Sequence, residues 1–129
     1  MYNIFFFISA PDDAPSSLRI NTITSTTCSL VWSRPSVPNG VLVLYTITYN
    51  STSGTVASLT VHGDSSGAVV TGLRPYTYYL FNVSASTRVG SGPALSIALH
   101  TDEDSKCALN IIINMYIISS FMYQELIIY

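Results

Sequence analysis

Few residues of this chain carry side chains that could catalyse a reaction. His62 and His100 are the only histidines, and each lies on or beside a predicted strand, near a loop. Asp64 follows His62 by two positions, but loop neighbours of this kind are usually solvated. Cys28 alternates with apolar residues, so we expect a buried, unreactive thiol. The serines lack a nucleophile context such as Gly-x-Ser-x-Gly. The sequence therefore predicts a protein that is not an enzyme and needs no cofactor.

The charge content argues against a nucleic-acid partner. Only 9% of the residues are charged and the formal net charge is −2, whereas about 25% is typical. The arginines are scattered along the chain, so no basic stripe is available to neutralise phosphates.

Composition divides the chain into three regions. Residues 1–10 are apolar and uncharged, and residues 105–129 are apolar with Lys106 and Glu125 as their only charges. Residues 11–104 hold every proline and every glycine, which are the residues that make turns. We therefore expect one domain at 11–104, flanked by an apolar lead and an apolar tail. Cys28 and Cys107 fall in different regions, so we expect both to be unpaired.

The two apolar ends have three interpretations. Residues 4–8 could be the core of a signal peptide cleaved near Ala10, although the run is short and no basic residue precedes it. Residues 107–124 are uncharged and long enough for a membrane anchor, since a spanning helix needs about 17–25 residues, but they include several polar residues. Both ends are also dominated by residues whose codons are rich in A and T. The third interpretation is therefore that the ends are translated non-coding sequence around one exon-encoded domain.

Period-2 alternation and turn residues divide the middle region into short strands, and no stretch shows helical periodicity. The predicted strands are 17–24, 27–33, 41–49, 56–61, 68–71, 77–87 and 95–100. Seven strands in about 100 residues are typical of an immunoglobulin-like sandwich. We therefore predict an all-β, seven-stranded Greek-key β-sandwich with apolar tails outside the domain.

The predicted core consists of the residues in the inward phase of these strands. They are Leu18, Ile20, Cys28, Leu30, Trp32, Tyr45, Ile47, Tyr49, Leu59, Val70, Leu73, Tyr79, Phe81, Val83, Ala85, Ile97 and Leu99.

Two acidic runs, Asp12-Asp13 and Asp102-Glu103-Asp104, could be proposed as metal ligands. The ends of a seven-stranded sandwich lie at opposite poles, so one domain cannot bring the runs together. We therefore expect solvated linker carboxylates and no metal site, unless neighbouring copies in a longer array juxtapose them.

The string from Leu73 to Ala85, with Pro75, Thr77 and Tyr79 at alternate positions, resembles the E–F corner and F strand of a fibronectin type III domain. Other landmarks of the same family follow in order: Pro15-x-x-Leu18, Trp32, Pro38-Asn39-Gly40, Tyr45-x-Ile47-x-Tyr49 and Gly90-x-Gly92-Pro93. The resemblance covers roughly residues 11–103. It implies that Tyr79 is the tyrosine-corner residue, whose hydroxyl bonds the backbone near Leu73–Pro75.

The resemblance also implies a protein-binding or spacer module of a cell-surface adhesion or receptor protein, as a fragment of a longer chain. An intracellular scaffold module and an accessory domain of an extracellular enzyme are the alternatives. In this family the loop between strands F and G often contacts a protein partner, and here it contains Arg88. No Arg-Gly-Asp occurs, so integrin binding through that motif is not supported, and the partner stays unidentified.

Two sequons, Asn50-Ser51-Thr52 and Asn82-Val83-Ser84, match the N-glycosylation acceptor pattern. Asn50 falls where a strand meets a turn, and Asn82 is out of phase with the inward residues, so we expect both side chains to face outward. The sequons favour an extracellular or cell-surface location, with 107–124 as the candidate for membrane association.

Overall fold

The computed structural model describes residues 9–103, which form seven strands. The strands are β1 (Ser16–Ile23), β2 (Cys28–Ser33), β3 (Leu44–Ser51), β4 (Val56–His62), β5 (Gly67–Val70), β6 (Tyr78–Ser86) and β7 (Ser91–His100). The signal-peptide, membrane-anchor and non-coding interpretations of residues 4–8 and 107–124 fall outside the described part of the chain. Within residues 9–103, no helix has the length and apolar character needed to cross a bilayer.

The strands pair antiparallel in two sheets, with orders β1-β2-β5 and β4-β3-β6-β7. The chain passes from one sheet to the other between β2 and β3, and again on either side of β5. This is the Greek-key sandwich that the sequence predicts, so the predicted fold class is confirmed.

The core lies where the inner faces of the sheets meet. Along β6 the residues alternate, with Tyr79, Phe81, Val83 and Ala85 buried between more exposed neighbours. The buried apolar residues are Cys28, Leu30, Trp32, Leu42, Tyr45, Ile47, Val70, Leu73, Tyr79, Phe81, Val83, Ala85 and Leu99. This period of two follows from the pleat, which points successive side chains to opposite faces.

The structure differs from the predicted core at its margins. Five predicted core residues are only half-buried: Leu18, Ile20, Leu59 and Ile97 on edge strands, and Tyr49 near the end of the inner strand β3. Leu42 is buried although it was not predicted. It lies outside any strand, in a loop that turns it inward, and alternation therefore could not identify it.

Two strand boundaries also differ from the prediction. β3 begins at Leu44 rather than at position 41, and β7 begins at Ser91 rather than at 95. The predicted turn at 89–93 therefore ends early, because Ser91 already pairs with Ser86 across a register shift. Pro93 is tolerated there since β7 is an edge strand, whose outward backbone groups need no ladder partner.

The loops gather at two ends of the sandwich. The N-terminal pole consists of residues 9–15 and the loops 34–43, 63–66 and 87–90, and the C-terminal pole consists of the loops 24–27, 52–55 and 71–77 with residues 101–103. Asp12 and Asp13 lie at the first pole and Asp102 and Glu103 at the second. Residues 9–103 contain no cluster of three or more side chains suited to hold a metal ion.

Candidate interaction surface at the N-terminal pole

The candidate catalytic groups do not converge in the described part of the chain. His62 lies at the N-terminal pole, with its Nδ1 3.4 Å from an Asp64 carboxylate oxygen, and both side chains are largely exposed. His100 lies near the C-terminal pole, where its ring contacts Tyr76 and Tyr78 at centroid distances of 4.8 and 4.2 Å. Burial raises the pKa of the Cys28 thiol to about 11. That thiol stays protonated at neutral pH, so it is a poor nucleophile.

Four exposed valines lie in the loops of the N-terminal pole. Val37, Val41 and Val43 lie in the loop after β2, and Val89 lies in the loop after β6. Their exposed fractions are 45%, 83%, 42% and 61%, respectively. We call these four residues the valine crest. Single exposed apolar residues are normal on a protein surface, and a group of them at one pole makes that pole a candidate contact surface.

The loop that carries three of these valines is fixed by the segment that precedes β1. The Asp13 carboxylate accepts hydrogen bonds from the backbone N–H groups of Ser36 and Val37, at 2.8 and 2.9 Å. The side-chain amide of Asn39 donates to the Ala10 carbonyl at 3.0 Å. The Ser9 N–H donates to the Asn39 carbonyl. Residues 9–13 are therefore part of the structure of this pole.

This arrangement corrects the expectation that Asp13 is a solvated linker acid. The hydrogen bond from the Val37 N–H is the main reason why the pKa of the Asp13 carboxyl is lowered, and the Ser36 N–H adds to it. Since hydrogen bonding favours the charged form, the contribution to stability is present above the ordinary carboxyl pKa. It is lost as the pH falls through the lowered value. Asp12, by contrast, is exposed.

The loop after β6 is short and closed on itself. The Thr87 N–H donates to the Gly90 carbonyl at 3.0 Å, and the Val89 N–H donates to the Thr87 hydroxyl at 3.3 Å. Thr87 is buried, and its hydroxyl donates to the Ser9 carbonyl at 2.7 Å. Val89 and the neighbouring Arg88 are thus presented by a rigid turn rather than by a long loop.

A depression of about 460 Å³ lies between these loops and the end of β4. Its lining comprises Val41, Leu42, Val43, His62, Asp64 and Arg88. Arg88 and Asp64 are exposed, and Arg88 makes no salt bridge with any residue in 9–103. The structure therefore places the predicted contact residue Arg88 beside an apolar floor, with an acidic group nearby.

Sequence reasoning missed the valine crest because the alternation changes phase at the start of β3. Continued backwards from Tyr45, a period of two would turn Val43 and Val41 inward, yet Leu42 is the buried residue. Gly63 enforces this path, since a Cβ at that position would overlap the Leu42 carbonyl oxygen. The Asn39-Gly40 pair, both with positive φ, was the available indication that the chain turns sharply here.

Below the valine crest, two aromatic residues have unpaired polar atoms. The rings of Trp32 and Tyr45 pack with their centroids 5.2 Å apart. Both side chains are buried, and neither the indole Nε1 nor the Tyr45 hydroxyl has a hydrogen-bond partner in the described residues. Burial raises the pKa of Tyr45. The Trp32 indole lowers the pKa of Tyr45 against this effect of burial, but the two groups make no hydrogen bond of normal geometry. We call this ring pair the aromatic floor, and packing holds it.

The C-terminal pole is held by hydroxyl groups. The Arg74 N–H donates to the Tyr79 hydroxyl at 2.8 Å, which is the tyrosine-corner bond that the resemblance implies. Thr101 is fully buried. Its hydroxyl accepts from the Thr77 N–H at 2.9 Å and donates to the Arg74 carbonyl at 2.7 Å. Thr101 was not singled out from the sequence, because a threonine at a strand end carries no pattern of its own.

The two sequon asparagines differ in accessibility. Asn50 is exposed near the end of β3. Asn82 is half-buried in the middle of β6, where its Oδ1 accepts a hydrogen bond from Ser96 on the neighbouring strand. It lies on the outer face, as its phase requires, but the strands on both sides partly cover it.

Comparison with known proteins identifies the family. Residues 13–102 match the model of the fibronectin type III domain. The chain is 33% identical over 105 residues to human phosphatidylinositol phosphatase PTPRQ, with 74% of the chain aligned. It is 34% identical over 92 residues to mouse protein sidekick-2, with 69% aligned. The Danio rerio receptor-type tyrosine-protein phosphatase F is 30% identical over 103 residues, with 74% aligned.

The chain spans only 4–5% of the length of these three relatives. Among solved structures, the third fibronectin III domain of human KIAA0343 protein superposes with a TM-score of 0.68 at 26% identity. That match covers 81% of this chain and 92% of the other.

Proposed function

Because the chain belongs to the fibronectin type III family, we propose that its N-terminal pole is a protein-binding surface of a cell-surface adhesion or receptor protein. Residues 11–104 are the module, and residues 9 and 10 complete its N-terminal pole. The family to which residues 13–102 belong is a non-catalytic module, and we propose no catalysis for this one.

The valine crest is the observation that carries this proposal. Its four side chains expose apolar surface on loops that internal hydrogen bonds already fix. A surface held in one conformation loses little entropy when it binds, and this favours affinity. Arg88 and Asp64 at the rim supply the polar contacts that give specificity. We expect an apolar patch on the partner, flanked by charged groups.

The C-terminal pole also exposes apolar side chains, but they are less suited to a partner. Tyr76 and Tyr78 are 68% and 62% exposed, yet their rings pack against His100 and so already have a neighbour.

The sequons support an extracellular location over the intracellular scaffold alternative. We propose glycosylation at Asn50, which is exposed, and at Asn82, which can be modified before β6 pairs with its neighbours. The test is the mass of the chain secreted from animal cells, before and after N-glycosidase treatment. We expect a loss of mass that is smaller in Asn50→Gln, and an unchanged mass would contradict the proposal.

The binding surface can be tested without knowing the partner. A fluorescent, tetramerised form of the chain is applied to a panel of cultured animal cells, and the bound fluorescence is measured. The Val41→Ser/Val89→Ser variant removes two crest residues that are 83% and 61% exposed. The control, Val56→Ser/Val69→Ser, removes two valines that are 82% and 64% exposed outside the crest.

We expect the crest variant to lose about tenfold in apparent affinity, which corresponds to about 1.4 kcal/mol of binding free energy for the two side chains together. The control should bind like the parent chain. Equal binding by both variants, or equal loss from both, would overturn the assignment of the partner surface to the N-terminal pole.

A further inference from the structure

The four sheet edges of this molecule are not equally protected against pairing. A sheet edge presents unpaired backbone groups, and proteins usually block it with a charge, a proline, a bulge or a very short strand. β1 carries Arg19 and two register shifts, β5 has only four residues, and β7 contains Pro93 and borders a register shift.

β4 has none of these features. Its sequence, VASLTVH, contains no proline and no lysine, arginine or acidic residue. All seven residues pair with β3 in one unbroken register, from Leu44 opposite His62 to Asn50 opposite Val56. The strand is therefore regular along its whole length, and its outer edge is regular too.

The hydrogen-bonding groups of that outer edge can be assigned from the register. The Gly63 N–H donates to the Val43 carbonyl, and the Ser51 N–H donates to the Thr55 carbonyl. Both pairs continue the register of β3 and β4, so the odd-numbered residues of β4 bond β3. The backbone groups of Ser58 and Thr60 then point away from the sheet, and they have no partner among residues 9–103.

The side chains of β4 indicate an apolar strand as the partner. Ala57, Leu59 and Val61 face the core side but are only half-buried. The opposing sheet has one strand fewer. Since β1 lies against β7, the strand on the β4 side is the short β5, which does not fully cover them. A strand added beside β4 would cover this row.

We propose that β4 pairs antiparallel with β4 of a second copy of this chain, around a two-fold axis at Leu59. In this register Ser58 of one copy lies opposite Thr60 of the other, and they exchange both backbone hydrogen bonds. Leu59 faces Leu59 and Ala57 faces Val61, which places apolar residues opposite one another, and no like charges meet. The two four-stranded sheets become one continuous sheet.

This pairing is closed, because each copy uses its single unprotected edge once and the same patch serves on both sides. It involves a different surface from the valine crest, so either proposal can fail without the other. Asn50 pairs with Val56 at one end of β4, and a glycan there would crowd the edge, so the pairing is proposed for the chain that carries no glycan at Asn50. The chain for the experiment is therefore produced without glycans.

The first test is sedimentation of the full chain over a series of concentrations. The variant Ser58→Lys/Thr60→Lys places lysines opposite lysines, and we expect its dimer dissociation constant to rise by about tenfold or more. The control, Ala94→Lys/Ala98→Lys, adds the same charges at exposed positions on β7 and should dimerise like the parent. Mixing the lysine variant with Ser58→Glu/Thr60→Glu should restore a dimer.

The second test fixes the register. In a Cys107→Ser background, Leu59→Cys should form an intermolecular disulfide on oxidation, because directly opposed, non-hydrogen-bonded residues have Cα atoms about 4.5 Å apart, within disulfide range. Ala57→Cys should not, since residue 57 lies opposite residue 61. A parent chain that is monomeric throughout, a dimer that survives Ser58→Lys/Thr60→Lys, or equal cross-linking of both cysteine variants would overturn the proposal.

Discussion

The two poles of the sandwich are held together by different means. At the C-terminal pole, the hydroxyls of Thr101 and Tyr79 bond backbone groups that would otherwise be buried without a partner. At the N-terminal pole, the buried polar atoms of Trp32 and Tyr45 make no hydrogen bond, and the loops above them are fixed by the Asp13 carboxylate and by the Thr87 hydroxyl. This difference fits our proposal that the N-terminal pole, with its exposed valines on fixed loops, is the partner surface, while the C-terminal pole mainly stabilises the fold.

The largest effect we expect is from removing the floor of the N-terminal pole. Trp32→Ala should lower the free energy of unfolding by about 3–5 kcal/mol, because it deletes a large buried side chain and leaves a cavity against Tyr45. Urea denaturation measures this loss. Val31→Ala, at the half-buried neighbouring position, is the control and should cost clearly less. A loss below about 1 kcal/mol for Trp32→Ala would mean that packing does not support this pole.

The next effect tests the C-terminal pole. Thr101→Val keeps the shape of the side chain but leaves the Thr77 N–H and the Arg74 carbonyl without their buried partner. We expect a loss of about 1–3 kcal/mol in the free energy of unfolding, measured in the same way. The control is Thr26→Val, an exposed threonine at the same pole. If the two variants are equally stable, the Thr101 hydroxyl does not hold the pole.

A smaller effect is expected at the tyrosine corner. Tyr79→Phe removes the acceptor for the Arg74 N–H and should cost about 1 kcal/mol. The ring still packs against Phe81 and Tyr49, so the fold survives. Thermal unfolding followed by circular dichroism would detect the loss, and an unchanged midpoint would contradict a stabilising hydrogen bond.

The smallest effect on the free energy of unfolding is expected from Tyr45→Phe, the corresponding change at the N-terminal pole. The Tyr45 hydroxyl has no partner among the described residues, so Tyr45→Phe removes a buried, unpaired polar group. We expect a change within about 0.5 kcal/mol of the parent, or a gain in stability. The same thermal measurement compares the two tyrosines directly. A loss as large as that of Tyr79→Phe would show that the poles do not differ in this way.

Much of the fold could be predicted from the sequence, because burial on one face of a strand imposes a period of two. Tyr79, Phe81 and Val83 illustrate this, and so does the turn chemistry around Asn39-Gly40. The candidate surface could not be predicted in the same way. Val41 and Val43 are exposed because the chain changes phase before β3, and that change depends on a close approach between Gly63 and Leu42.

Contacts between distant segments explain the other omissions. Asp13 bonds a loop more than 20 positions further along the chain, and Thr101 bonds residues on the far side of β6 and β7. The sequence around Asp13 and around Thr101 contains no motif that would reveal a hydrogen-bond partner so far away along the chain. Arg88 was identified through the family resemblance, and the structure adds the apolar depression beside it.

The division between the poles is tested most directly by measuring stability and cell binding together on two variants. Thr101→Val should lose stability yet, at a temperature where it is folded, bind cells with the affinity of the parent chain. Val41→Ser/Val89→Ser should keep its stability, with a free energy of unfolding within about 0.5 kcal/mol of the parent. It should lose about tenfold in apparent affinity for the cells. A crest variant that is destabilised as much as Thr101→Val, or a folded Thr101→Val that loses binding to the same degree, would contradict this division between the poles.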